Sequence, residues 1–328
     1  MKASRALLHL LKPFIHHLDD PNVTEVVVNR PAEFGVERNG RWEWHDAPEL
    51  TFERMDQIGL AAAAETAKDF SRANPVCGTI LPAGQRMQIN RPPAVTPDGI
   101  ITMCIRRPFH RKLTMDDDDF DDMTSEVNTG ASQNEAVSGD MVRLFEARDW
   151  RGFLKLGIEQ GFSIGVCADQ ASGKTESLKR FLRHIPQWRR MITIEDDSPE
   201  FGDAGPHNRA GFLYASTGLD PIMKASLRMR ANEVIFQEAR GGEVYYLALA
   251  RLRGARIMTS WHAQFGREFE ALASMYRQSE FGRSETPDEV EAKLRRLIDI
   301  IVWQYRDSRA QKFRMARIWF RGMETDAA

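Results

Sequence analysis

Chemistry in this sequence concentrates first on Ser172, Gly173, Lys174 and Thr175, a Ser-Gly-Lys-Thr run between an apolar stretch and a helical one. In that setting backbone N–H groups at a helix N-terminus converge on an anion. A lysine reaches the outer phosphates of a nucleotide, and a hydroxyl holds Mg2+. Lys174 and Thr175 have the right types for those two roles. The wider run from Ala168 matches G-x-x-x-x-G-K-[ST] except at its first glycine, where alanine stands. Gly-Lys-Thr by itself is a short signal, and it gains meaning from the strand before it and the helix after it. Asp169 and Glu176 flank the run, and their charge would oppose a phosphate if their side chains turn toward it.

Three more places share one design, an apolar run that ends in a group able to handle protons or metal. Met191 to Glu195 ends in Glu195 and is followed by Asp196 and Asp197; Glu233 to Gln237 is followed by Glu238; Arg256 to Trp261 is followed by His262. Ligands of open α/β sheets gather beyond the C-terminal ends of the strands, so strand ends of this kind would meet on one rim. A carboxylate there can orient or deprotonate an attacking water or support Mg2+, and an imidazole can sense a terminal phosphate. Each site alone also fits a polar strand end. Their order along the chain is that of a P-loop enzyme.

The elements that must hold these groups follow from periodicity. After Ser138, β-rich segments alternate with helical ones, as in a mostly parallel sheet flanked by helices. Strands are predicted at Ser163–Cys167, Met191–Glu195, Glu233–Gln237, Arg256–Trp261, Ile298–Trp303 and Lys312–Phe320. Helices are predicted at Lys174–His184, Asp220–Arg228, Gly242–Leu252, Phe265–Tyr276 and Pro287–Arg296. The first part reads as a smaller α+β domain, with strands near Thr24–Asn29, Met87–Ile89 and Ile100–Ile105 and a helix from about Phe52 to Phe70. Ala6 to Ile15 reads as a helix packed on that domain. It is too short and too interrupted for a signal or membrane segment. The predicted domains are 1–109 and 139–328, joined by an acidic, polar linker at 110–138 that contains Asp116 to Asp119.

A chain of 328 residues with 42% hydrophobic and 28% charged residues has the balance of a folded globular protein large enough for two cores. The formal net charge of -2 gives no overall attraction to a polyanion, and nucleic acid is not expected as a partner. Cys77, Cys104 and Cys167 are odd in number and match no zinc spacing. They read as buried thiols of a reducing compartment.

Taken together, the motifs resemble the type IV secretion traffic ATPases of the VirB-eleven kind, within the wider secretion ATPase superfamily. In the first domain the resemblance rests on Leu18-Asp19-Asp20-Pro21-Asn22-Val23-Thr24-Glu25-Val26, Val28-Asn29-Arg30-Pro31 and Ile105-Arg106-Arg107-Pro108. In the second it rests on Gly173-Lys174-Thr175, Ile192-Thr193-Ile194-Glu195-Asp196, Ser226-Leu227-Arg228-Met229-Arg230 and Glu238-Ala239-Arg240-Gly241. It covers most of the chain.

The resemblance implies an α/β fold with a RecA-like P-loop C-terminal domain, and a homo-oligomer, a hexameric ring. ATP would lie between the two domains, and the ring would sit at the cytoplasmic, inner-membrane face of a secretion apparatus. There it would meet inner-membrane components, with peripheral membrane association. Residue by residue, it assigns Ser172, Gly173, Lys174 and Thr175 to ATP, Thr175 also to Mg2+, and Glu195, Glu238 and His262 to catalysis. Arg106 and Arg107 would close over the phosphates. The sequence departs from the family at Ala168, Ala171, Gln237 and Arg253-Gly254-Ala255-Arg256. Two alternatives stay open: a weakly active or inactive ring subunit of the same apparatus, and a related pilus or type II secretion motor.

Overall fold

The structure is a computed structural model and describes residues 5–96, 99–107, 139–169, 172–202, 204–215, 217–307 and 312–323. The linker at 110–138 and Ala171 lie outside the described residues. The first part contains α1 (Arg5–Leu10), α2 (Lys12–Asp19), β1 (Val23–Val28), β2 (Glu33–Arg38), β3 (Arg41–Asp46), α3 (Phe52–Glu65), β4 (Val76–Ile80), β5 (Arg86–Asn90), β6 (Val95–Thr96) and β7 (Thr102–Arg106). Six of these strands form an antiparallel sheet in the order β3-β2-β1-β7-β5-β4. Leu7, Leu11, Phe14 and Leu18 recur at helical spacing and seat α1 and α2 on this sheet, together with Ile58 and Ala62 of α3.

The stretch expected to be one helix at Ala6–Ile15 is two, divided at Leu11. Pro13 falls in the first turn of α2, where a missing N–H is tolerated but the preceding helix cannot run through. The helix expected to reach Phe70 stops at Glu65. Thr66 caps it, Ala67 has φ 52°, and the chain folds back so that Phe70 lies against Gly59. A Cβ at Gly59 would sit 2.2 Å from the Phe70 ring, so this turn needs glycine beneath it.

The second part runs α4 (Gly139–Glu146), α5 (Trp150–Gln160), β8 (Ile164–Ala168), α6 (Lys174–Leu182), β9 (Met191–Glu195), β10 (Arg209–Leu213), α7 (Leu219–Arg228), β11 (Glu233–Phe236), α8 (Glu243–Leu252), β12 (Arg256–His262), α9 (Glu268–Tyr276), α10 (Pro287–Leu297), β13 (Ile300–Asp307) and β14 (Lys312–Phe320). The second sheet has the order β14-β13-β8-β12-β11-β9-β10-β6. From β13 to β10 the neighbours are parallel, and β14 and β6 are antiparallel at the two edges. Its inner strands are buried throughout, as expected where helices cover both faces. One face packs on Phe153, Leu178 and Phe181 of α5 and α6; the other packs on helices α7 to α10 around Phe236, Trp261 and Leu272. This is the RecA-like P-loop arrangement expected of the second part, beside a smaller α+β part.

Local chemistry explains the helix ends. Asp149 accepts the Gly152 N–H at 3.0 Å to start α5, and Gly161 at φ 84° ends it. Thr286 and Glu289 form a reciprocal capping box on α10, with Pro287 in its first turn.

The two parts share more than a covalent link. β6 pairs with β10, so a piece of the first part becomes an edge of the second sheet. Beside it, Asn29 donates to Asn208 at 3.0 Å and Arg30 to the His207 carbonyl at 2.6 Å. Arg230 pairs with Glu37 and reaches the fully buried Glu25, which accepts a hydrogen bond from the Cys104 thiol at 2.7 Å. Cys77, Cys104 and Cys167 are all free and buried, and burial pushes each thiol up from its ordinary value.

Candidate active site

Strands β8, β11 and β12 lie beside one another in the order β8-β12-β11, and their C-terminal ends open on one side of the sheet. After β8 the chain turns into α6 through Gly173, whose φ of 81° favours a residue without a side chain. Ser172 is buried and its hydroxyl donates to the Asp169 carbonyl at 2.6 Å, which tightens the turn. Lys174 and Thr175 then occupy the first turn of α6, over the strand ends.

From β11 comes Glu238 and from β12 comes His262. The Lys174 ammonium is 3.6 Å from Glu238 Oε1 and 3.2 and 3.3 Å from the two ring nitrogens of His262. His262 Nε2 is 3.0 Å from the same Glu238 oxygen. Burial pulls the Lys174 ammonium below the ordinary lysine value, against the opposing pull of Glu238. Ser172, Gly173, Lys174, Thr175, Glu238 and His262 thus line a single cleft, and Arg240 lines it with them.

Arg240, two residues after Glu238, joins the site without a motif of its own to announce it. Its Nε donates to Glu238 Oε2 at 2.8 Å and its Nη1 to Asp196 Oδ2 at 2.9 Å. It therefore ties the carboxylate just after β11 to the loop that follows β9. Gln237, at a position where the resemblance leads one to expect glycine, makes a second tie. Its side-chain Oε1 accepts the Asp196 N–H at 2.9 Å, and its Nε2 donates to Glu200 at 2.8 Å. The larger residue is accommodated because it points along the rim and satisfies backbone there.

Glu195 is not part of this cluster. Its carboxylate is buried and accepts the Thr193 hydroxyl at 2.9 Å, the Phe201 N–H at 3.1 Å and the Glu200 N–H. All of this capacity serves to fold the loop after β9 back onto the strand. Burial pushes its carboxyl above the usual carboxylate range. Asp196, the next residue, points to the rim instead, as expected from the alternation of side chains at a strand end.

Arg106 and Arg107 also lie elsewhere. Arg107 donates to the Leu18 carbonyl at 2.9 Å and to the Pro21 carbonyl at 3.3 Å, which holds the end of α2. Arg106 lines a separate cleft of about 600 Å³ with Lys68, Arg86, Arg228, Arg230 and Arg253. That cleft lies between the first sheet and α7, and no Asp or Glu lines it. The two acids that could oppose a phosphate part company. Glu176 turns to Lys179 at 2.9 Å on the exposed face of α6, whereas the Asp169 carboxylate stays close enough to act on the Lys174 charge.

The donor set of the main cleft suits a phosphate chain and a hard cation: an ammonium, a helix N-terminus, one hydroxyl and one carboxylate. Among the described residues no group of three or more His, Cys, Asp or Glu side chains could hold a metal by itself. Any cation would have to share its coordination with phosphate or water.

No protein-family model matches the chain. The type IV secretion system protein VirB11 of Brucella suis biovar 1 (strain 1330) is 32% identical over 303 residues, covering 89% of this chain and 83% of that protein. Protein VirB11 of Agrobacterium tumefaciens (strain 15955) is 29% identical over 315 residues, covering 92% and 90%. Among solved structures, the crystal structure of the VirB11 ATPase from the Brucella suis type IV secretion system, in complex with sulphate, superposes with a TM-score of 0.88. It has 30% sequence identity and covers 96% of this chain and 94% of that one. With sequence similarity over nearly the whole length and the same fold, this chain belongs to the VirB11 family of type IV secretion system proteins.

Proposed function

We propose that the protein is an ATP-binding and ATP-hydrolysing motor of a type IV secretion system, acting as a hexameric ring on substrate transfer or pilus assembly. The observation that carries this reading is the meeting within 3.6 Å of Lys174, at the start of α6, with Glu238 and His262 from the ends of neighbouring strands. Lys174 would take the outer phosphates, with the N–H groups at the start of α6. Thr175 and Glu238 suit Mg2+, directly or through water, and the ion when bound would neutralise developing phosphate charge. Glu238 is oriented by Arg240 to position or deprotonate the attacking water, and His262 reports on the terminal phosphate.

Ring assembly is the arrangement that would bring a phosphate to Arg106, whose cleft is separate from the chain's own P-loop. Residues 1–109 and 139–328 would form the two domains, linked through 110–138. The partners would be inner-membrane components of the apparatus at the cytoplasmic face. No helix among the described residues is long and apolar enough to cross a membrane.

Steady-state ATPase measurement on the purified ring tests the reading. Turnover should require Mg2+, and Lys174→Ala should abolish both turnover and analogue binding without changing the far-UV circular dichroism. Turnover no greater than in Lys174→Ala, with analogue binding intact, would instead favour an inactive ring subunit.

A further inference from the structure

Gln304 of β13 is buried directly beneath the phosphate loop. Its Nε2 donates to the Ser172 carbonyl at 2.6 Å, and its Oε1 accepts the Ser177 hydroxyl of α6 at 2.7 Å. One amide therefore clasps both the loop and the helix that the loop feeds. In the β13–β8 register Gln304 lies opposite Ala168, the last residue before the loop. The β13–β14 ladder shifts register between Trp303 and Gln304. An irregularity of that kind re-aims side chains, and here it falls at the residue that turns under the loop.

The bond to Ser172 has a directional consequence. In a trans peptide the C=O and the following N–H point in opposite directions. With the Ser172 carbonyl turned down onto Gln304, the Gly173 N–H is directed away from it, toward the cleft lined by Lys174 and Thr175. Among the described residues no acceptor takes that N–H. Gly173 is itself at φ 81°, and a glycine peptide rotates easily. Rotated the other way, the same peptide would present a carbonyl oxygen to an anion.

We propose that Gln304 is a positioning residue that locks the Ser172–Gly173 peptide with its N–H toward the phosphate site and so sets the affinity of the loop for nucleotide phosphates. The inference rests on the nucleotide reading above. The side chain touches no reacting atom, and it acts through the loop backbone.

The test uses the full-length protein with two near-isosteric variants. Gln304→Met removes donor and acceptor alike. Gln304→Glu keeps an acceptor for Ser177 but can donate to Ser172 only when protonated. Dissociation constants for a non-hydrolysable ATP analogue and for ADP, both with Mg2+, are measured from pH 5.5 to 8.5 beside wild type and Lys174→Ala, with melting curves for each. Gln304→Met should bind both nucleotides at least about tenfold more weakly while still folded. Gln304→Glu should approach wild type at the acid end and lose affinity as its carboxyl ionises, a titration wild type lacks. If Gln304→Met does not fold, the pH series on Gln304→Glu decides. Folded variants that hold both nucleotides within twofold of wild type at every pH would reduce Gln304 to packing and overturn the proposal. Wild type binding no better than Lys174→Ala would instead remove the nucleotide reading itself, and this inference with it.

Discussion

Lys174 and Glu238 face each other at 3.6 Å, with His262 and Arg240 closing on the same carboxylate. The ammonium that would hold phosphate is thus held by the group that would handle water. A phosphate entering the cleft competes with Glu238 for Lys174, and it meets the negative charge of Glu238 as it does so.

Glu238→Gln should therefore separate affinity from chemistry. Removing the charge should tighten binding of a non-hydrolysable ATP analogue severalfold. Losing the base should lower kcat by about 100-fold or more. Calorimetric titration and steady-state turnover check the two halves, and an unchanged kcat would remove Glu238 from the chemistry.

Glu195→Gln should do the opposite. The amide oxygen can still take the Glu200 and Phe201 N–H groups, but an NH2 then replaces the oxygen that accepts the Thr193 hydroxyl, and one buried donor is left without a partner. A loss of about 1–3 kcal/mol in denaturant unfolding is expected, while kcat per folded molecule stays within a few-fold. A hundredfold loss of kcat at unchanged stability would return Glu195 to the catalytic set.

Gly165→Ala tests how tightly the strand before the loop is packed. A Cβ there would lie 2.2 Å from the Trp261 ring, which is pinned by its indole N–H donating to the Glu268 carbonyl at 3.1 Å. Overpacking should cost about 1–3 kcal/mol. Because Trp261 precedes His262, nucleotide affinity should fall as well. Trp261→Phe in the same chain should recover part of both losses, and strict additivity of the two changes would argue against the contact.

The strand ends that build the site were legible in sequence because β-branched and apolar runs such as Met191–Glu195 announce themselves, and each is followed at once by a polar group. Strand β10 was not, since Arg209 and Gly211 interrupt its apolar pattern, and neither was α5, where Gly152 and Gly157 dilute the helical signal. Glu195 and Asp196 are adjacent in sequence, yet one turns inward and the other to the rim. Strand alternation sends the two to opposite sides, and the loop to Phe201 fixes which side Glu195 takes; residue type decides neither. Gln304 lay just beyond the predicted end of its strand, and its partner Ser172 is 132 positions away. No local pattern reports a bond of that span. Arg106 carried the right chemistry but a different address, because the docking of the first sheet on α7 directs it to another cleft.

The pairing of β6 with β10 bears on how the protein behaves as a material. A bare parallel edge strand is a template for any other chain with free backbone groups, and here Val95 and Thr96 cover Gly211 and Phe212. The first part acts as a guard against self-association of the second. A P-loop half produced alone would expose that edge together with the apolar surface that Val95 covers, and would be prone to stick to copies of itself.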